Sequence, residues 1–256
     1  MRIGFIGAGS MVAAIARGAV AAGMNGADFL FTDANGVHAP ALAREVGGQV
    51  ASSNGSLAHQ VDLLVLGVKP HIQSEVIEQI AHIVRERPDM AVVSLAAGRT
   101  LDSMLHDFGA AVPLIRVMPN VNAQVGQSMS AICSQDATEA QLGATERLLG
   151  AVGRTVRISE KEFPAFMALA SCSPAWVFQI IETLARAGVK HGLTKSSATL
   201  IAAHQSFYRY LAWRKCSCGA LLCGAEGKRD VGSCTYIDCA GSDQRNRYGV
   251  RRCGSV

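Results

Sequence analysis

The residues able to do chemistry in this chain cluster at the ends of short apolar runs. The first cluster is Ile6-Gly7-Ala8-Gly9-Ser10-Met11, where the run Ile3-Gly4-Phe5-Ile6 passes through a Gly-x-Gly turn into the Ala-rich stretch from Val12 to Ala22. That order reads as strand, tight turn, helix. One glycine makes the turn, the next lets a phosphate approach the backbone, and the first helical amides face the phosphate charge. The third small residue of such a fingerprint would be Gly or Ala; Val12 stands there. An acid, Asp33, lies 24 residues after Gly9, at the end of the apolar run Phe29-Leu30-Phe31. In that context the spacing predicts a dinucleotide site rather than an ordinary turn.

An acid at the end of the second strand accepts hydrogen bonds from the adenosine ribose and repels a 2′-phosphate unless a cation compensates. Ala34-Asn35-Gly36-Val37-His38 supplies neither Arg nor Lys, so the chemistry of this stretch favours NADH. A second reading has Asp33 capping a helix over 39–45.

Three further clusters end apolar runs. The run from Val61 to Val68, Gly67 included, stops at Lys69-Pro70-His71. Met90 to Leu95 stops at Ala96-Ala97-Gly98. Val112 to Met118 stops at Pro119-Asn120. Ligands of doubly wound sheets bind at the carboxyl ends of strands. Lys69 by itself reads as a solvated charge, and small residues at 96–98 suit a flat ring or a tight turn equally.

The elements that must position these ends alternate between strand and helix as far as Cys133. Short strands are expected over 49–51, 128–133 and 155–158, with Ser52-Ser53-Asn54-Gly55 as a turn. Helices are expected over 72–84 and over 138–149, where Thr138 and Gln141 have capping-box spacing. From Glu160 the periodicity is helical only. Segments over 163–170, 175–189 and 194–207 are expected, with a break at Ser171-Cys172-Ser173-Pro174. An α/β domain followed by an all-α one is the predicted plan.

At 256 residues, 49% of them apolar, the chain can bury a large core. No unbroken apolar run approaches the roughly 18 residues of a membrane span, and the start lacks a leader pattern, so a cytoplasmic protein is expected. Residues 1–203 carry 15 Lys and Arg against 16 Asp and Glu, whereas residues 204–256 carry 9 against 4. Six of the eight cysteines also fall in that tail.

The ordered motifs resemble the pyrroline-5-carboxylate reductase family from residue 1 to about 206. They are Gly4-Phe5-Ile6-Gly7-Ala8-Gly9-Ser10-Met11, Val68-Lys69-Pro70-His71, Ser94-Leu95-Ala96-Ala97-Gly98, Arg116-Val117-Met118-Pro119-Asn120, and Ser173-Pro174-Ala175-Trp176-Val177-Phe178 with Ile181 to Lys190. The resemblance implies an N-terminal Rossmann-type doubly wound sheet, residues 1–159, and an all-α dimerisation domain that starts at 160–207. It implies hydride transfer from NADP(H) or NAD(H) to the C=N bond of 1-pyrroline-5-carboxylate, the last step of proline synthesis. It places the cofactor on Ile6, Gly7, Ala8, Gly9, Ser10, Met11, Asp33, Asn54, Gly67, Val68, Lys69, Pro70, Ala96 and Ala97. Ser173 and Pro174 would border the substrate, in a pocket at a homodimer interface. No proton donor is identified, and no metal, nucleic acid or membrane partner is expected. The family often prefers NADPH, against the chemistry of Asp33, and the cofactor stands here as NAD(P)H.

Departures accompany the resemblance. Ser10 replaces a usual Asn or Gln, Val12 an Ala, Cys172 a Gly, and Val121-Asn122 a common Thr-Pro. After Phe207 the resemblance stops, and no Ser-Pro-Gly-Gly-Thr-Thr-type loop occurs in the sequence. Residues 208–256 form an atypical Cys- and Arg-rich tail. Its cysteine pairs are too irregular for zinc knuckles, and its aromatic content is too sparse for a nucleic-acid arm. The tail fits out-of-frame translation. One T inserted into TTT ATC GGT ACC (Phe-Ile-Gly-Thr) gives TTT TAT CGG TAC, the Phe-Tyr-Arg-Tyr of 207–210. The second functional expectation is therefore a nucleotide-binding protein without catalytic competence.

Overall fold

Apolar runs of four or five residues, bounded by turns, make strands that can be buried on both faces. β1 (Ile3–Ile6), β2 (Phe29–Thr32), β4 (Leu63–Leu66) and β5 (Ala91–Ser94) are buried at every position. With β3 (Gln49–Val50), β6 (Leu114–Met118), β7 (Ser128–Gln135) and β8 (Gly153–Arg157) they form one sheet of order β3-β2-β1-β4-β5-β6-β7-β8. All neighbours are parallel except β6 and β7. In register, Ile6 lies between Thr32 and Leu66, and Leu66 faces Ser94. The residues that follow, Gly7, Asp33, Gly67 and Leu95, therefore emerge on one edge.

This computed structural model describes residues 1–205, 235–237 and 250–252. Two compact units divide the chain, Met1–Pro174 and Ala175–Val256. In the first, strand residues alternate between two cores. Ile3, Phe5, Phe29, Phe31, Leu63, Val65 and Val93 face α1 (Ser10–Ala21), α2 (His38–Val46) and α6 (Glu139–Gly150). Ile6, Leu30, Leu64, Leu66 and Val92 face α3 (Asn54–Ala58), α4 (Gln73–Arg85) and α5 (Leu101–Phe108). The Thr138–Gln141 capping box forms at the start of α6.

Three local expectations are corrected. Ser52–Gly55 is not a simple turn, because Ser53 caps α3 by accepting from the Ser56 N–H. The sequence reading has no helix between β5 and β6, yet α5 forms there with Thr100 as its cap. The break expected at Ser171–Pro174 is a local distortion with a bend at Cys172, not a loop. α7 (Phe163–Phe166) continues through a π-helical turn, Met167–Ser171, into α8 (Ser173–Lys190). The wider register keeps the Cys172 N–H bonded to the Met167 carbonyl at 3.0 Å. Pro174, the second residue of α8, has no N–H to return to the preceding turn, and the Ala170 carbonyl four residues before it accepts instead from Asn120 Nδ2 at 2.8 Å. The helical run Glu160–Lys190 is consequently long and apolar enough, by length and composition alone, to cross a membrane. A search for unbroken apolar residues overlooks it.

In the second unit α8 meets α9, the helix over 195–205, through Ile181, Ala185, Ala198 and Ala202. Thr194 caps α9 by accepting from the Ser197 N–H at 3.2 Å. Along α8, Trp176, Phe178, Ile180 and Leu184 remain exposed. A two-stranded antiparallel ribbon, β9 (Thr235–Ile237) with β10 (Val250–Arg252), completes the described residues. The remaining expectations for the tail lie outside them.

Candidate nucleotide-binding site

The glycine loop is built by close backbone approach. Gly7 has φ 92°, and its N–H donates to the Thr32 carbonyl at 2.9 Å. A Cβ there would lie 2.9 Å from the Gly67 carbonyl oxygen, so both conformation and space require glycine. Gly9 differs: its φ of −72° suits any residue, and a Cβ on it would meet nothing within 4 Å. Its bareness keeps the approach to α1 open. That helix has no side-chain cap and no acid in its first turn. The amides of Ser10, Met11 and Val12 are thus without intrahelical partners and carry the positive end of the helix dipole. Ala8, Gly9 and Ser10 form one end of a groove of about 960 Å³ that runs along α1 and is lined also by α2 and by residues within 123–126 and 151–152. These features fit a dinucleotide pyrophosphate.

Val12, the misfit in the fingerprint, is buried, and its Cγ2 occupies the space a Cβ on Gly67 would need. The bulk added on α1 is thus accommodated by a glycine after β4.

At the end of β2, Thr32 donates its hydroxyl to Asn54 Oδ1 at 2.7 Å. Asn54 Nδ2 donates to Gln79 Oε1 at 2.7 Å, which fixes Asn54 between β2 and α4. Asp33 Oδ2 accepts from the His38 N–H at 3.0 Å, so Asp33 caps α2 while it sits at the end of β2. The hydrogen bond is the one the capping reading expects, and among the described residues no hydrogen bond reaches Oδ1.

On the other side of β1, Gly67 and Val68 are half-buried and Lys69 is exposed. Pro70 opens a short 3₁₀ turn, Pro70–Ile72, that leads into α4. Ala96 is buried and Ala97 exposed. Gln73, absent from the sequence reading, joins these two strand ends. It is fully buried, donates through Nε2 to Ser94 Oγ at 2.7 Å, and leaves Oε1 without a partner. The same Ser94 Oγ accepts from the Ala96 N–H at 3.3 Å. Gln73 had a sequence signal: it stands on the α4 stripe otherwise held by Val76, Ile77, Ile80 and Val84.

Ser173 and Pro174 lie next to the π turn, apart from the β1–β5 edge by sequence but tied to the end of β6. Asn120, buried, donates from Nδ2 to the Ala170 carbonyl at 2.8 Å. Arg116, 6% exposed, pairs with Glu160 at 2.7 Å and lies 4.3 Å from the Phe163 ring centre. Glu160 Oε1 also accepts from the Leu101 N–H at 2.7 Å. The pair thus joins β6, α5 and the start of the helical run. Beside it, burial pushes the Cys133 thiol up to about 11, with the Glu160 charge adding and Arg116 opposing. Among the described residues no group of three or more His, Cys, Asp or Glu is placed to hold a metal ion.

A family model described as "NADP oxidoreductase coenzyme F420-dependent" matches residues 2–98, and one described as "Pyrroline-5-carboxylate reductase dimerisation" matches residues 160–207. The pyrroline-5-carboxylate reductase of Methanosarcina acetivorans is 32% identical over 206 residues, covering 79% of this chain and 75% of that protein. The solved pyrroline-5-carboxylate reductase of Coxiella burnetii superposes with a TM-score of 0.78 at 28% identity, over 84% of this chain and 80% of that one. That of Plasmodium falciparum, solved with NADP bound, superposes with a TM-score of 0.74 at 24% identity, over 84% and 79%. Agreement in sequence and in fold runs from the glycine loop into the helical unit, and the chain belongs to the pyrroline-5-carboxylate reductase family of NAD(P)-dependent oxidoreductases.

Proposed function

We propose that this chain reduces 1-pyrroline-5-carboxylate to L-proline, as a cytoplasmic homodimer assembled through its helical unit. The observation that carries the reading is the uncapped, open N-terminus of α1, set in a chain 32% identical over 206 residues to a reductase of that name. NAD(P)H, when bound, supplies the hydride. The protein's part is to bind and orient. Gly7, Ala8, Gly9, Ser10 and Met11, with Ile6 behind them, hold the pyrophosphate on backbone amides. Asp33 and Asn54 border the adenosine. Gly67, Val68, Lys69, Pro70, Ala96 and Ala97 border the path to the nicotinamide, and Gln73 fixes the distance between those two strand ends. Ser173 and Pro174, held through Asn120 and the π turn, border the substrate.

A second reading, nucleotide binding without turnover, is favoured by one fact. The dimerisation match ends at residue 207, and the sequence beyond it contains no Ser-Pro-Gly-Gly-Thr-Thr-type loop. Oxidation of NADH and NADPH by the purified full chain, with 1-pyrroline-5-carboxylate added, decides between them. Turnover above the substrate-free rate supports the reductase. Saturable nucleotide binding with no turnover overturns it in favour of the second reading.

A further inference from the structure

We infer that Asp33 makes this site select the cofactor with a free 2′-hydroxyl, NADH, over its 2′-phosphorylated form. The inference rests on the nucleotide reading of the glycine loop and adds the discriminating residue. Three observations carry it.

The first is the placement of the charge. Asp33 follows β2 directly, and β2 and β4 flank β1 on opposite sides, so the switch point of the sheet assigns the β2 end to the adenosine half. Its Oδ2 is held by the His38 N–H, which fixes the carboxylate and leaves Oδ1 as an acceptor for a ribose hydroxyl.

The second is the engagement of nearby donors. A 2′-phosphate needs cations or free N–H and O–H groups. The first amide of α2, which would otherwise favour an anion, already serves Asp33. The Thr32 hydroxyl serves Asn54, and Asn54 Nδ2 serves Gln79.

The third is the nature of the loop. The Gly36 N–H closes a turn onto the Asp33 carbonyl at 3.1 Å, and the exposed residues Ala34, Asn35, Gly36 and Val37 carry no charge. The arginines of the flanking helices are elsewhere engaged or distant in sequence. Arg17 of α1 makes two hydrogen bonds to Glu45, at 2.7 and 2.8 Å, and Arg44 lies in the last turn of α2. A dianionic phosphate placed beside Asp33 thus meets a fixed like charge with no Lys or Arg in the loop beside it; the nearest basic side chains on the groove are His38 and Arg17, and Arg17 is held by Glu45.

The test uses the full chain and two ligands that lack the reacting ring, so its readout is independent of turnover. Calorimetric titration with ADP-ribose and with 2′-phospho-ADP-ribose should show the former binding tighter by on the order of tenfold or more. Asp33→Asn keeps an acceptor for the His38 N–H and removes the charge; it should bring the two affinities to within about threefold of each other. Asp33→Ser, a second capping residue, should do the same and guards against a folding defect peculiar to one variant. Equal or tighter binding of the phosphorylated ligand by the unaltered chain overturns the inference and leaves the nucleotide site standing. A preference that survives both substitutions overturns Asp33 as its source. Binding of neither ligand overturns the nucleotide reading itself, and this inference with it.

Discussion

The two units of this chain bury their apolar residues to very different extents. In Met1–Pro174 every residue of four central strands is inside, and helices cover both faces of the sheet. In the described part of Ala175–Val256 the buried cluster is Ala185, Ala198 and Ala202, with Ile181 against it. Trp176 and Phe178 stand 59% and 58% exposed. Alanine contributes little burial, and a sequence that puts large apolar groups on the outside of a helix needs another surface to cover them. The sheet unit therefore has an interior of its own, while the described part of the helical unit leaves its large apolar groups uncovered. The match of residues 160–207 to a dimerisation model fits that division.

The largest effect is expected at Arg116. If the sheet unit depends on its own interior, removing one member of its buried ion pair should unfold it readily. Arg116→Ala leaves Glu160 facing an empty guanidinium site and uncovers Phe163. Breaking a fully buried pair costs about 3–5 kcal/mol; with Glu160 29% exposed, about 2–3 kcal/mol is expected. Strand amide protection, read by hydrogen exchange, should fall by that amount in β4, β5 and β6. Both tryptophans and all four tyrosines lie after residue 174, so their fluorescence reports the helical unit alone. Undiminished strand protection in this variant would show that the pair is not part of what holds the sheet unit together.

The nucleotide loop offers a smaller, more local test. Gly9→Val fits the existing backbone, since φ is −72° and a Cβ meets nothing within 4 Å. The added methyls project into the approach to the α1 amides. ADP-ribose affinity should fall at least tenfold, about 1.4 kcal/mol, while the unfolding midpoint stays within experimental scatter. Unchanged affinity would remove the glycine loop from the site.

How far the sequence alone reaches differs along the same division. Continuous apolar runs that end in turn residues are local signals, and they place β1, β2, β4, β5 and the strand ends that carry Gly7, Asp33, Gly67 and Ala96. Long-range polar pairs leave no local signal. Arg116 and Glu160 are 44 residues apart, and nothing near either announces the other. Gln73 lay in plain view on an apolar stripe, but its partner Ser94 is known only once α4 and β5 are brought together. α5 is short, and its start is set by a Thr100 cap that spacing rules weigh lightly. The π turn failed for another reason. Ser171-Cys172-Ser173-Pro174 has the composition of a break, and only the extra residue in the Cys172-to-Met167 hydrogen bond lets the helix pass through it.

Changes on the exposed face of α8 test the same division from the other unit. The double variant Trp176→Glu and Phe178→Glu places charges on a face that is already exposed. Substitutions at exposed positions usually shift stability by less than about 0.5 kcal/mol. Strand protection should stay within that range, whereas the mass measured by light scattering should fall toward that of a single chain. If protection in β4 and β5 drops by more than about 1 kcal/mol, the two units are not separable in stability and the division drawn above fails.

The smallest expected effect comes from Cys133, whose half-buried thiol lies beside Arg116 and Glu160. Burial holds its ionisation up to about 11 in the folded chain, whereas an exposed thiol ionises near 8.5. At neutral pH both states keep the proton, and the thiol makes no pH-dependent contribution. As pH rises from about 8.5 toward 11, the unfolded chain releases the proton and the folded chain does not. The unfolded state is then favoured and stability declines. Cys133→Ser removes that ionisation and keeps a small polar side chain. Urea unfolding of the two proteins, followed by far-ultraviolet circular dichroism at pH 7.5 and again at pH 10, should show the unaltered chain losing more stability than the variant. Parallel losses would mean that water reaches the thiol, and that the interior around the Arg116–Glu160 pair is wetter than its burial implies.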